Sequence, residues 1–202
     1  MLDSRPYKPL FAVITTDLEL SEFAPMIERR LAQAAGSVTP DEFKTLLGDP
    51  GRAMLRATME SVGGDSTSIW LADIAEDNLI VTHSSPEESF IGWKQPVTEG
   101  LISLVFASEQ SLCENKVYQN ANHSKRVDDA MDQVTCALIA TPFYFGGALQ
   151  GVVSCVQLKD GLAAEDPSGF SARHLARIRR LSTVLERLVN YRLLTTLIGL
   201  EL

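Results

Sequence analysis

The feature that most constrains the fold is a pair of apolar segments, residues 135–145 and 148–158, separated only by Gly146-Gly147. Two adjacent glycines can both take positive φ, as a two-residue primed turn requires, so the segments are predicted to form a tight antiparallel hairpin. If Phe145 opposes Ala148, Leu138 faces Cys155 and Cys136 faces Gln157. Alternation then puts Cys136, Leu138, Ala140 and Tyr144 on one side of the first strand and Ala137, Ile139, Phe143 and Phe145 on the other. A strand apolar on both sides needs cover on both sides, which predicts a place in the middle of a clad sheet.

The flanking sequence supplies the cover. Before residue 65 the periodicity is helical. Ser21 is predicted to cap a helix with Phe23, Met26, Ile27, Leu31 and Ala34 on one side and Gly36 as a left-handed stop. Thr39-Pro40-Asp41-Glu42 reads as a second helix start, with Phe43, Leu46 and Leu47 inward and Gly48 at its end; Asp49-Pro50 starts again and runs to Gly63-Gly64. From Asp65 the period falls to two. Residues 66–74 and 78–84 read as a hairpin, and 90–97 as a strand whose Pro96 confines its end to an edge. Thr98-Glu99-Gly100 opens a helix with Leu101, Leu104 and Val105 on one side, followed by a short strand at 112–114 and a polar stretch to Gln133. Ser171 caps a long helix carrying two apolar stripes, Leu175, Ile178, Leu181, Leu185, Leu188 and Val184, Tyr191, Leu194, Ile198. Two stripes need two partners.

Composition narrows the function classes. The net charge of −8 and pI near 4.9 repel phosphate backbones, so no nucleic-acid partner is expected. Six arginines (Arg173, Arg177, Arg179, Arg180, Arg187, Arg192) punctuate the last helix and read as a solvated or acid-paired face. Between Asp17 and Val62 eight acids face five bases, the wrong sign for a recognition helix. The apolar runs at 9–14 and 136–145 are far shorter than the ~18 residues of a membrane span, so no membrane partner and a cytoplasmic location are expected. Three cysteines, Cys113, Cys136 and Cys155, without paired spacing predict reduced thiols.

Residues 50–190 resemble a GAF domain. The motifs are the hairpin VTCALIATPFYFGGALQGVVSCVQL, with Thr141-Pro142-Phe143 before the turn and Gly151-Val152-Val153 after it, a Gly100-Leu101-Ile102 helix start, and Phe170-Ser171 opening FSARHLARIRRLSTVLERLV. The resemblance implies an α+β fold: an antiparallel sheet of about six strands, helices on both faces, a long C-terminal helix, and a small-molecule pocket under a lid at roughly 93–136. Domain organisation follows as a helical N-terminal extension over 1–49 and a GAF-like domain over 50–202 ending in a dimerisation helix. The chain departs from cyclic-nucleotide-binding members, because the last strand ends Gln157-Leu158-Lys159-Asp160 and Phe170 is followed by no Asp-Glu pair. It also lacks the adjacent Cys-His through which phytochrome-type members attach a bilin.

Within that frame the expected ligand-binding residues are Trp93 and Tyr118, whose amphipathic rings can stack on a ligand, and His123, Asp128 and Cys136 in and below the lid. His83, His123 and His174 are too scattered for a metal site, and neither a phosphate loop nor a GxSxG elbow occurs. The expected function is a non-catalytic sensory or regulatory module in signal transduction, a homodimer that takes an unknown small molecule and passes the signal to a downstream protein; no cofactor is assigned. Two alternatives stand beside it. One is a GAF-fold methionine sulfoxide reductase using Cys113, Cys136 and Cys155; the other is a ligand-responsive transcription regulator.

Overall fold

The computed structural model describes residues 18–86 and 88–199. Residues 1–17 of the predicted extension, including the apolar run at 9–14, lie outside them. Gly146 and Gly147 take φ of 62° and 81° and close the turn between strands β5 (Val134–Phe145) and β6 (Ala148–Lys159). The expected pairing holds at both ends of this ribbon, with Phe145 opposite Ala148 and Thr135 opposite Leu158, but not in the middle. One irregularity near Gln150 and another at Cys136 shift it by a residue, so Leu138 faces Val156, Ile139 faces Cys155 and Cys136 faces no partner. A Cβ on Gly151 would lie 1.8 Å from the Trp70 carbonyl oxygen, so the strand needs glycine where it bends beneath its neighbour.

Four more strands complete one six-stranded antiparallel sheet: β1 (Ser66–Asp73), β2 (Asn78–Ser85), β3 (Lys94–Pro96) and β4 (Leu112–Glu114), in the order β3-β2-β1-β6-β5-β4. Both hairpin strands are therefore interior. The strand expected over 90–97 shrinks to Lys94–Pro96, because residues 88–90 form a 3₁₀ turn and Gly92 sits at φ 90°.

One face of the sheet is covered by α1 (Leu18–Gly36), α2 (Pro40–Val62) and α5 (Ala172–Leu197). Thr39 and Glu42 close a capping box at the start of α2, and Gly48 breaks the helix at φ 56°, so α2 spans the boundary placed at 49/50. Three details differ from expectation. Helix α1 already runs from Leu18, so Ser21 lies inside it; Leu18 and Glu19 are good helix formers and do not stop it. Gly36 stays out of the left-handed region, and the Ala34 and Ala35 carbonyls instead accept from Ser37 and Val38 backbone N–H groups. In α5 the buried line runs Ile178, Leu181, Leu185, Val189, Leu193 rather than through Leu188, because a straight helix drifts off a strict heptad.

The core under these helices centres on Phe43, Phe143 and Phe145, all fully buried with ring centroids 5.5–6.0 Å apart. Gly146 fits directly beneath α1, where a Cβ would lie 2.1 Å from that of Ala35, and its N–H donates to Asn190 of α5 at 2.7 Å. The opposite face carries a second cluster, Trp70, Leu79, Val81, Leu138, Ala140 and Val152, under α3 (Gly100–Ser108) and α4 (Arg126–Met131). On α3 it is Leu101, Ile102 and Val105 that point inward, while Leu104 is exposed, since residues 101, 102 and 105 share a face that 104 flanks. No helix among the described residues is long and apolar enough to cross a membrane.

Candidate functional site

Where the second face is not filled, the reason is side-chain size. Strand register sets Ser84 on β2 directly beside Ser68 on β1, Ser68 beside Ser154 on β6, and Ser154 beside Ala140 on β5. This row of small residues crosses four strands. The next row along carries Val81, Trp70 and Val152, and the row on the other side Ser66, Val156 and Leu138. Short hydroxyls between bulkier rows leave a cavity of about 320 Å³, within the range of small-molecule sites. Its walls are Trp70 and Phe90, packed edge to face at 5.5 Å, and its roof comes from Leu101 and Ile102 of α3 and from the segment between β4 and β5.

That roof is tied to the sheet through Asp128. The carboxylate accepts from the Thr135 backbone N–H at 3.0 Å and the Thr135 hydroxyl at 2.6 Å, and its Oδ2 lies 2.9 Å from His123 Nε2. Burial alone would raise the Asp128 pKa, but the bonds from His123 and Thr135 outweigh it and hold the carboxyl below its ordinary value. One acid thus joins the lid loop, α4 and the first residues of β5. The lid closes on α3 as well. Arg126 pairs with Glu99 at 3.0 Å, and Gly100, at φ 81°, packs so close to the lid that a Cβ there would lie 3.0 Å from that of Ser124. Beneath, the Trp70 indole N–H donates to Ser154 Oγ at 3.2 Å, whereas the buried Ser84 hydroxyl has no partner.

Of the residues singled out in the sequence, His123 and Asp128 line this cavity together. Trp93, Tyr118 and Cys136 are not among the lining residues. Trp93 packs on Phe90 at 6.0 Å, one layer behind the wall that Trp70 provides. Tyr118 donates to Asp166 at 2.8 Å with Lys159 Nζ 4.1 Å over its ring, and Cys136, displaced by the irregularity in β5, joins that same group through Asp166. Cys136 and Cys155 were expected to share a face. Instead Cys155 is buried in the helix-side core, while Cys136 belongs to neither apolar cluster. Trp70, Phe90 and the serine row went unnoticed in the sequence; the signal was the alternation Ser66, Ser68, Trp70 on a strand that turns out to be central.

No thiol is activated. Burial pushes Cys155 up to about 12, and burial likewise raises Cys136, with Asp166 adding to it, and Cys113, with Glu114 adding to it. Among the described residues no group of His, Cys, Asp and Glu is arranged to hold a metal ion.

No protein-family model matches the chain, and no curated protein matches it in sequence. Solved structures do match in shape. The GAF domain of an Acinetobacter phosphoenolpyruvate-protein phosphotransferase superposes with a TM-score of 0.55 at 16% identity, over 92% of this chain and 99% of that one. The GAF domain of the corresponding Coxiella burnetii protein gives 0.59 at 15% identity, over 89% and 98%. Free methionine-R-sulfoxide reductase from Neisseria meningitidis gives 0.56 at 13% identity, over 88% and 95%. With its strand order, its two helical layers and these superpositions, the chain has the GAF-domain fold.

Proposed function

We propose that this chain is a sensory module of the GAF type, in which a small molecule held between sheet and lid biases the long helix α5. The observation that carries the reading is the cavity, walled by aromatic rings and floored by buried hydroxyls, with a lid tethered through Asp128. Occupancy of such a space would favour the closed lid over open ones and shift the ensemble accordingly. The route outward runs through β5, which meets the cavity on one face and α5 on the other. Exposed Tyr191 on α5 and Ile198 at its C-cap, with Phe23 and Met26 on α1, supply an apolar surface for a second copy.

GAF domains of sensor proteins, among them a two-component histidine kinase from Bacillus halodurans, share the fold. The Neisseria reductase of similar fold has been seen in complex with its substrate. A reductase reading for this chain is disfavoured by its thiols, which are raised in pKa and absent from the cavity lining. A ligand at about a hundred times its Kd stabilises by ~2.7 kcal/mol, a readily measured thermal shift. The test is a screen of amino acids, nucleotides and haem against wild type and Ser68→Leu, which fills the floor. The expected result is a shift in wild type that the leucine abolishes; no shift with any class, or an equal shift in both proteins, overturns the reading.

A further inference from the structure

The charged groups around the cavity are already occupied. His123 and Asp128 meet at 2.9 Å, and Asp128 takes two further bonds from Thr135, so the acid and base of the lid satisfy each other. Asp65 sits exposed at the rim and accepts from the Leu158 N–H at 2.8 Å. No lysine or arginine is among the described residues that line the cavity. A charge carried into the enclosed part would lose its hydration and find no unpaired opposite charge in return.

The other end of the floor, three strands from the Asp128–Thr135 contact, is built of neutral groups. Ser84, Ser68 and Ser154 stand side by side on β2, β1 and β6, neighbouring strands about 4.8 Å apart. All three are more than nine-tenths buried and line the cavity. Ser154 Oγ accepts from the Trp70 indole, whereas Ser84 Oγ has no hydrogen-bond partner. A hydroxyl both donates and accepts, so the adjacent Ser84 and Ser68 can present one donor and one acceptor to a single ligand edge. Trp70, two residues along β1 from Ser68, and Phe90 supply aromatic walls next to that pair.

We infer that the enclosed part of the ligand is an uncharged ring system with an amide-type edge, an N–H beside a C=O, that lies against Trp70 and Phe90 and sets that edge on Ser84 and Ser68. Any charged substituent stays at the rim. The inference rests on the reading of the cavity as a ligand site and specifies what its buried end takes. Recognition is by hydrogen bonding and apolar contact, with no bond made or broken in the ligand.

The experiment is protein-observed NMR of the full chain with four bicyclic probes of similar size: the lactam isoquinolinone, naphthalene, protonated tetrahydroisoquinoline and naphthoate. The lactam is expected to move the Ser68, Ser84 and Ser154 amide resonances and to bind about tenfold more tightly than each of the other three, the size of two neutral hydrogen bonds. Ser84→Ala and Ser68→Ala are each expected to weaken the lactam about threefold and to leave naphthalene within about twofold of wild type. The amine or the carboxylate binding as tightly as the lactam would overturn the selection for an uncharged ring while leaving the sensory reading in place. Naphthalene binding as tightly as the lactam, or lactam affinity unchanged in both serine variants, would overturn the hydroxyl contacts. If none of the four moves the cavity resonances, this inference falls; the sensory reading falls with it only if the amino acids, nucleotides and haem also give no thermal shift.

Discussion

The two faces of the sheet are built from the same strands to opposite ends. On the face under α1, α2 and α5, large side chains interlock: Phe43, Phe143 and Phe145 meet ring against ring in the core between the sheet and these helices. On the other face, the row Ser84, Ser68, Ser154 is too short to reach the covering elements, and there the lid is tied down by a hydrogen-bonded acid beside the packed residues of α3. The first face is the foundation and the second keeps room for something else. Even the histidines divide this way. His123 has a carboxylate partner, whereas His83, across from Ile69 on the filled face, has a buried Nε2 with no hydrogen-bond partner.

Phe143→Ala tests the foundation most severely. It removes a fully buried ring from the three-phenylalanine cluster and is expected to cost about 3–5 kcal/mol in urea unfolding. A loss below about 1 kcal/mol would mean that this face is no more specifically packed than the other.

His83 gives the next largest effect, and its sign follows from the direction of the shift. Burial, then the nearby cations Arg52, Arg56 and Lys44, lower its pKa from 6.5 to about 4, with Glu88 opposing. The unfolded chain therefore takes up a proton below about 6.5 that the native state refuses until about 4. Stability from this group is complete above pH 6.5 and drains away as the pH falls toward 4. Calorimetry across that window should show a falling Tm in wild type and a shallower fall in His83→Gln; parallel slopes would place the acid sensitivity elsewhere.

The smallest effect is expected on the hollow face. Ser84→Ala deletes a hydroxyl that bonds to nothing, so its stability should stay within about 1 kcal/mol of wild type or rise slightly. Destabilisation comparable with Phe143→Ala would erase the distinction between the faces.

Much of the first face was legible in the sequence. The Gly146-Gly147 turn, the Thr39 and Ser171 caps and the Gly48 break are all local, set by φ preferences and hydrogen bonds within four residues. His123 and Asp128 were legible for the same reason, lying five residues apart in one loop. Trp93 drew notice as an aromatic near the lid, but the wall position belongs to Trp70, because side-chain alternation along β1 turns Trp70 toward the cavity and leaves Trp93 behind Phe90. Cys136 was assigned a face by strict alternation, and an irregularity of a single residue removed it.

The chain by itself determined which segments turn, which cap and which bury an apolar side, since those preferences act over a few neighbouring residues. Only the assembled sheet decided that residues 84, 68 and 154 stand side by side, because cross-strand register depends on where an irregularity absorbs one residue, and that depends on what the neighbouring strand leaves room for.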